Sequence, residues 1–270
     1  MDDALYRLHA EREETYWWWV GKNRIIMALI EEFWVRRAPG ESGRGGAKPR
    51  ALDIGCGAGG MLAKLCSPPL GFDAVGIDMS PIAREYCAKR GLRALDGSLP
   101  DGLPFTEPES LDVIVMSEVI EHVKEDRASV AVAARLLRPG GVLVCTVPAH
   151  MWLWSAHDDF NFHQRRYTRA AFAGLFRGLD TPLEERLLGY YQAASFPLVV
   201  AGRWASTLRA RLSRRPPAEP VVRPLPAIIN WPLTKGFEME KSWLRRGIAS
   251  PWGTSVISVH TRTDPAFSGA

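Results

Sequence analysis

The segment SEVIEHV places Glu118, Glu121 and His122 at i, i+3 and i+4. A helical turn would put all three on one face. Carboxylate oxygens beside an imidazole suit a divalent ion such as Mg²⁺, Mn²⁺ or Zn²⁺. An ion held there would anchor an acceptor oxygen and lower its pKa, work otherwise left to a general base; the competing reading is that His122 only hydrogen-bonds nearby backbone. Farther along, His157, Asp158, Asp159, His163, Arg165, Arg166 and Tyr167 crowd one loop. His163 and His157, with Glu121, are the candidate groups for acid–base work, and His163 is the expected base if no metal is bound.

A second chemical signal lies upstream. LDIGCGAGG, residues 52–60, puts a strand end, a glycine loop and a helix start within nine residues, the arrangement that lets a backbone approach a small ligand closely. Gly55, Gly57 and Gly60 satisfy the dinucleotide pattern G-x-G-x-x-G. Asp78 in VGIDMS could hydrogen-bond a ribose in either kind of site. Asp53 leans the other way: a carboxylate beside the glycines crowds a pyrophosphate but suits a ligand bearing an ammonium and a sulfonium.

These groups need a frame. Short apolar runs near 51–54, 74–77, 92–95, 111–116 and 141–147 alternate with amphipathic runs near 60–66, 81–90 and 125–137, which predicts a parallel sheet covered by helices on both faces. Ile26, Ile30, Phe33 and Trp34 predict helix over 1–37, and APGESGRGGAKP (38–49) a loop. Beyond 150 the expected elements are a helix near 169–178, a strand at 183–190, a helix or helix pair over 192–214, a Pro-rich stretch over 216–232, a short helix near 234–246 and a final edge strand at 255–260. The histidine-bearing loop follows the fifth strand and so should overhang the strand ends where ligands bind.

A chain of 270 residues, 46% apolar, can bury one main core. Lys plus Arg (34) barely exceed Asp plus Glu (30), and with no RNA-binding module in view a nucleic-acid partner is not expected. Four scattered cysteines suggest reduced thiols, the acidic start MDDALYRLHAEREE does not read as a signal peptide, and the apolar run 193–202 is too short to span a bilayer. The expected location is the cytoplasm. A basic stripe over 203–215, with Trp204, Leu208 and Leu212 spaced by four among five arginines, allows peripheral contact with a membrane; the plainer reading packs the stripe on the domain.

LDIGCGAGG, GIDMS, LDGSLPDGLPF, LDVIVMSEVIEHV and LLRPGGVLVCTVP, in that order and spacing across 50–148, resemble the class I S-adenosylmethionine methyltransferases. The resemblance implies a doubly wound, Rossmann-like seven-stranded α/β sheet with an antiparallel last strand. Around it would lie an N-terminal helical lid (1–49), a core (50–190), a helical insertion (191–252) and a closing strand and tail (253–270). It further implies that Asp53, Gly55, Gly57 and Gly59 line the methionine part of S-adenosyl-L-methionine, that Asp78 holds the ribose, that Met79 packs on the adenine, and that Asp96 with Gly97 accepts the adenine amino group. Ser117 would stand at the mouth. Tyr16–Val20 resemble the lid of small-molecule methyltransferases, whence Lys22 or Arg24 could reach the cofactor carboxylate. SEVIEHV resembles the metal-binding segment of quinone-pathway O-methyltransferases and of small-RNA 2′-O-methyltransferases; those families add a downstream ligand, here His157 or His163. The expected reaction is methyl transfer to a small-molecule hydroxyl, with N- or C-methylation of a small or lipid-linked acceptor, or RNA 2′-O-methylation, as alternatives.

Overall fold

The computed structural model describes residues 3–36, 48–105, 107–213 and 226–263. Two helices, α1 (Asp3–Arg12) and α2 (Trp17–Ile30), precede β1 (Arg50–Ile54), α3 (Gly60–Cys66), β2 (Asp73–Ile77), α4 (Pro81–Lys89), β3 (Ala94–Leu95) and β4 (Leu111–Ser117). Then come α5 (Asp126–Leu136), β5 (Leu137–Pro148), α6 (Ala156–Phe160), α7 (Arg169–Gly174), β6 (Leu183–Tyr191), α8 (Phe196–Ser213), α9 (Ala227–Leu244) and β7 (Ser255–Arg262). The order across the seven-stranded sheet is β3-β2-β1-β4-β5-β7-β6, and β7 runs antiparallel to both its neighbours. The expected fold class is the one observed.

Local chemistry explains the helix starts. Pro81 opens α4 behind Ser80, whose hydroxyl accepts the Ala83 N–H, and Thr168 does the same for Ala171 at α7. The sheet is buried on both faces, and the pleat divides its residues. Along β4, Val113 and Val115 join one core while Ile114 and Met116 join the other. Helix α2 belongs to the first core: Ile25, Ile26, Leu29 and Ile30 are fully buried, together worth roughly 6–12 kcal/mol of apolar burial. It is thus an integral wall of the domain, while α1 lies at the strand ends with Tyr6 on Asp78. The single helix expected over 1–37 is in fact α1, a break, α2, and a π-helical turn at Glu31–Val35.

The third strand is only two residues long, and helix α9 begins inside the stretch expected to be Pro-rich loop, with Pro232 accommodated in its second turn. The glycine-rich loop at 38–47 and most of the Pro-rich segment, 216–225, fall outside the described residues. So do the last arginines of the basic stripe, 214 and 215, and the side chains of 206–213; within the described part Trp204 is exposed, whereas Arg203 turns inward to the Leu153 carbonyl and Asp158.

Two features dock the insertion. Phe237 of α9 lies over Gly21 of α2, where a Cβ would come 2.3 Å from its ring, and it packs on Trp17 at 5.6 Å. Glu240 accepts the backbone N–H groups of Gln192 and Ala193 at the end of β6. We expect Gly21→Ala to destabilise the protein by about 1–2 kcal/mol, because overpacking at a buried ring outweighs the gain of about 1 kcal/mol in helix propensity. In a Phe237→Ala background the same change should become neutral or stabilising. Urea unfolding of the four proteins measures the coupling, and additive effects would contradict the close packing.

Candidate active site

The chain runs outward from β1 to β3 and returns to β4 on the other side of β1, so the connections leaving the paired carboxyl ends of β1 and β4 diverge and open a crevice. A cleft of about 1610 Å³ lies there, walled by α1, the start of α2, the glycine loop, the loops after β4 and β5, and α8.

Gly55 and Gly57 both hold positive φ, +69° and +53°. A Cβ at Gly55 would meet Val119 at 2.5 Å, while nothing lies within 4 Å of one at Gly57; the first glycine is demanded by packing, and the second leaves a bare backbone facing the cleft. Asp78, at the end of β2, ties the loop down by accepting the N–H of Gly57 and of Ser80, each at 2.9 Å, and the Tyr6 hydroxyl of α1 at 3.3 Å. Asp53 is buried and its Oδ2 has no hydrogen-bond partner. Burial, opposed by the Lys22 ammonium, pushes its carboxyl up to about 7. Lys22 is itself buried, with Nζ 4.5 Å from the centre of the Trp18 ring; burial lowers its pKa, and Glu118, Glu121, Asp53 and Glu13 hold it up. Glu13 accepts the Gly60 N–H at 3.1 Å and pairs with Arg90, closing α1 onto the start of α3.

Across the cleft, Glu121 is wholly buried with neither carboxylate oxygen hydrogen-bonded. Burial, then the charge of Glu118, raises its pKa well above the usual range. Nε2 of His122 and Nε2 of His163 each lie 4.0 Å from Glu121 Oε1. Burial, reinforced by His163, lowers His122 to about 4, and burial with the Arg203 charge lowers His157 to about 4, so both rings are neutral at pH 7. His163 Nδ1 lies 2.9 Å from Asp158 Oδ1, which also accepts Arg166 Nε at 2.7 Å. Burial works against the charge on Asp158, yet the hydrogen bond from His163 and the charges of Arg166 and Arg203 hold its pKa below the usual carboxylate range. The Nδ1 contact to ionised Asp158 fixes the His163 ring and turns its Nε2 toward Glu121.

Most of the expected residues meet in this cleft: Asp53, Gly55, Gly57, Asp78, Met79, Gly97, Ser117, Glu118, His122, His157 and His163 line it. Four others are placed differently. Arg24 pairs with Glu238 of α9 at 2.9 Å and is half-exposed; two residues along a helix turn a side chain by roughly 200°, so with Lys22 facing the cleft Arg24 faces away. Asp96 is largely exposed and bound to Arg84 at 2.6 Å. Gly59 sits behind the loop, where a Cβ would strike Leu92 at 2.8 Å. Glu121 lies behind the lining, and the expected helical turn is a 3-10 turn, Ile120–His122, preceded by Glu118 at φ +58°. That left-handed residue separates Glu118 from the rest of the expected metal set. Among the described residues, donor atoms of Glu121, His122 and His163 lie within 4.8 Å of one another and Glu118 is not part of that group.

Tyr6 and His9 of α1 and Glu13 just beyond it also line the cleft and are absent from the expected set; their spacing of three and four is the available signal. In the sequence Asp158 is only one member of a charged loop, since nothing local reveals that it meets His163, Arg166 and Arg203 at once.

A family described as methyltransferase domain matches residues 22–185 of this chain. A ubiquinone biosynthesis O-methyltransferase from Dinoroseobacter shibae is 32% identical over 144 residues, 48% of this chain and 57% of the relative. One from Cereibacter sphaeroides is 37% identical over 101 residues, 36% and 40% respectively; the chain thus spans only about half the length of these curated relatives. A Thermotoga maritima structure, described as a SAM-dependent methyltransferase and possible histamine N-methyltransferase, superposes with a TM-score of 0.53 at 17% identity, over 96% of this chain and 98% of the other. That likeness shows the fold.

Asp158 offers a test of the site's frame. Asp158→Asn keeps the shape but leaves Arg166, whose side chain is 3% exposed, without its counter-charge, a loss of about 3 kcal/mol. Because the folded-state pKa of Asp158 is depressed, the wild type keeps this contribution above the unfolded value of about 3.9 and loses it as pH falls below. Urea unfolding at neutral pH should show the full difference and at pH below about 3 a smaller one; equal stabilities at neutral pH would contradict it.

Proposed function

Because the chain belongs to the methyltransferase-domain family, we propose that it transfers the methyl group of S-adenosylmethionine to a phenolic or catechol-type hydroxyl of a small molecule, assisted by a divalent ion at Glu121, His122 and His163. The observation that carries the metal-assisted reading is Glu121: a fully buried carboxylate with both oxygens unpaired, set against two imidazoles.

The residues fit the methyl donor. Asp78 stands where it can accept ribose hydroxyls, Gly57 presents open backbone, the unpaired Oδ2 of Asp53 suits an ammonium, and Lys22 suits a carboxylate. Bound there, S-adenosylmethionine supplies an electrophilic methyl on a sulfonium: an O–C bond forms as the S–C bond breaks, and the leaving thioether is neutral. The protein's own tasks are alignment, exclusion of water and removal of the hydroxyl proton. Tyr16, Trp17, Trp18, Trp19 and Phe160 wall the cleft with aromatic surface that excludes water. A divalent ion on Glu121, His122 and His163 would lower the pKa of the acceptor hydroxyl. His122, neutral at pH 7, is a competent ligand, and Asp158 orients His163 for that role.

The charged lining mixes the carboxylates Glu13, Asp53, Asp78 and Glu118 with the cations Lys22, Arg166 and Arg203 and is not the basic surface that a nucleic-acid backbone calls for, which favours a small molecule. Transfer to oxygen follows the naming of the curated relatives. The metal-free alternative rests on the same Asp158–His163 pair, with His163 as general base.

The test is methyl transfer from labelled S-adenosylmethionine to a panel of catechols, other phenols and amines, with and without chelator. Catechol O-methylation lost with EDTA, restored by Mg²⁺, Mn²⁺ or Zn²⁺ and reduced roughly 100-fold or more by Glu121→Gln is the expected result. Full activity in the chelated enzyme would leave His163 as the base and remove the ion.

A further inference from the structure

Helix α9 buries one face and leaves the opposite one strongly apolar. Phe237 and Leu244 enter the core, whereas Ile228 (84% exposed), Trp231 (65%), Met239 (57%) and Trp243 (43%) project outward. With Lys235 and Arg246, both exposed, they follow one another at intervals of three and four, a single stripe along the helix. Ile248 and Trp252, in the chain leaving α9, are exposed as well. A surface helix ordinarily turns polar residues to water, and a contiguous apolar face of this kind marks an interaction site.

The charges on this face identify the partner. Among the described side chains of 226–252 both carboxylates are drawn away from it: Glu238 pairs with Arg24 and Lys241, and Glu240 is buried against backbone N–H groups. Exposed Lys235 and Arg246 thus stand beside tryptophans with no exposed acid between them, and the Lys235 Nζ lies 5.8 Å from the Trp231 ring centre. Tryptophan, basic residues and a face without exposed carboxylate are the composition of helices that lie in the headgroup region of anionic bilayers. No helix among the described residues is long and apolar enough to cross a membrane.

We propose that the outer face of α9 docks the protein on the surface of an anionic lipid bilayer, with Trp231, Met239 and Trp243 inserted among the headgroups and Lys235 and Arg246 against lipid phosphates. Docking here is independent of methyl transfer. The face is opposite the contacts of Phe237 with Trp17 and Gly21, so its side chains can be changed without disturbing the core.

Flotation of the full chain with phosphatidylcholine vesicles, with and without phosphatidylglycerol, tests the surface. The wild type should co-float with the anionic vesicles at low salt and release at high salt. Lys235→Glu/Arg246→Glu should weaken partitioning roughly tenfold or more, and Trp231→Ser/Met239→Ser/Trp243→Ser should abolish it while the thermal midpoint is kept. Wild type that fails to float at low salt, or variants that float like wild type, would overturn the proposal. So would a wild-type dimer that the apolar variant converts to a monomer, which would assign the face to a second copy of the chain.

Discussion

The site is organised around buried carboxyl groups whose polar atoms the protein itself only partly pairs. Asp53, Glu118 and Glu121 each keep a buried oxygen without a hydrogen bond, and the cation set among them, Lys22, is itself buried. Leaving such groups unpaired costs several kcal/mol in a low-dielectric interior. A stable fold tolerates this only where the sheet and helices around it are firmly packed. The double core supplies that packing: β4 is buried on both faces, and α2, which carries Lys22, is anchored by four fully buried aliphatic side chains.

The two ends of the cleft treat charge differently. On the glycine-loop side, Asp78 is held in place by Gly57, Ser80 and Tyr6, so it serves as a rigid acceptor with capacity left for a ligand hydroxyl, while its neighbour Asp53 is pushed toward neutrality by burial. On the histidine side, Asp158 is saturated by His163, Arg166 and Arg203 and stays ionised, while Glu121 is pushed toward neutrality. Each half pairs one carboxylate that holds geometry with one whose charge depends on a partner. Buried carboxyls raised as Asp53 and Glu121 are, facing one cleft, are a mark of functional sites.

Motif order carried the fold well, because a strand, a glycine turn and an acidic strand end are local patterns whose spacing survives folding. Gly55, Gly57, Asp53 and Asp78 were placed from that alone. The choice between Lys22 and Arg24 needed the direction in which α2 presents its faces, which depends on α9 docking through Phe237 and Gly21. Glu118 was misgrouped because a helical turn was assumed where the backbone takes a left-handed step; no side-chain pattern encodes that step, since the residue is not glycine. Asp158 gathers His163 and Arg166 of its own loop with Arg203 of α8, and Glu13 meets Gly60 and Arg90; a single sequence carries no signal for those pairings. Only part of the exposed stripe of α9 is legible: Lys235, Met239, Trp243 and Arg246 fall in the helix expected near 234–246, whereas Ile228 and Trp231 fall in the stretch that Pro232 and its neighbours mark as loop.

Asp53 tests the central claim most directly. With its carboxyl raised to about 7 by burial, an ammonium-bearing ligand must draw the ionised form, so affinity rises with pH until Asp53 is ionised in the free protein as well. Calorimetric binding of S-adenosylhomocysteine from pH 5.5 to 8.5, in roughly half-unit steps across the range where a shifted carboxyl titrates, should show affinity climbing up to about tenfold per unit below pH 7 and levelling above it. Asp53→Asn should bind more weakly at high pH and lose the slope. Binding that is independent of pH in the wild type, or an Asp53→Asn protein with the same affinity and the same slope, would contradict the account.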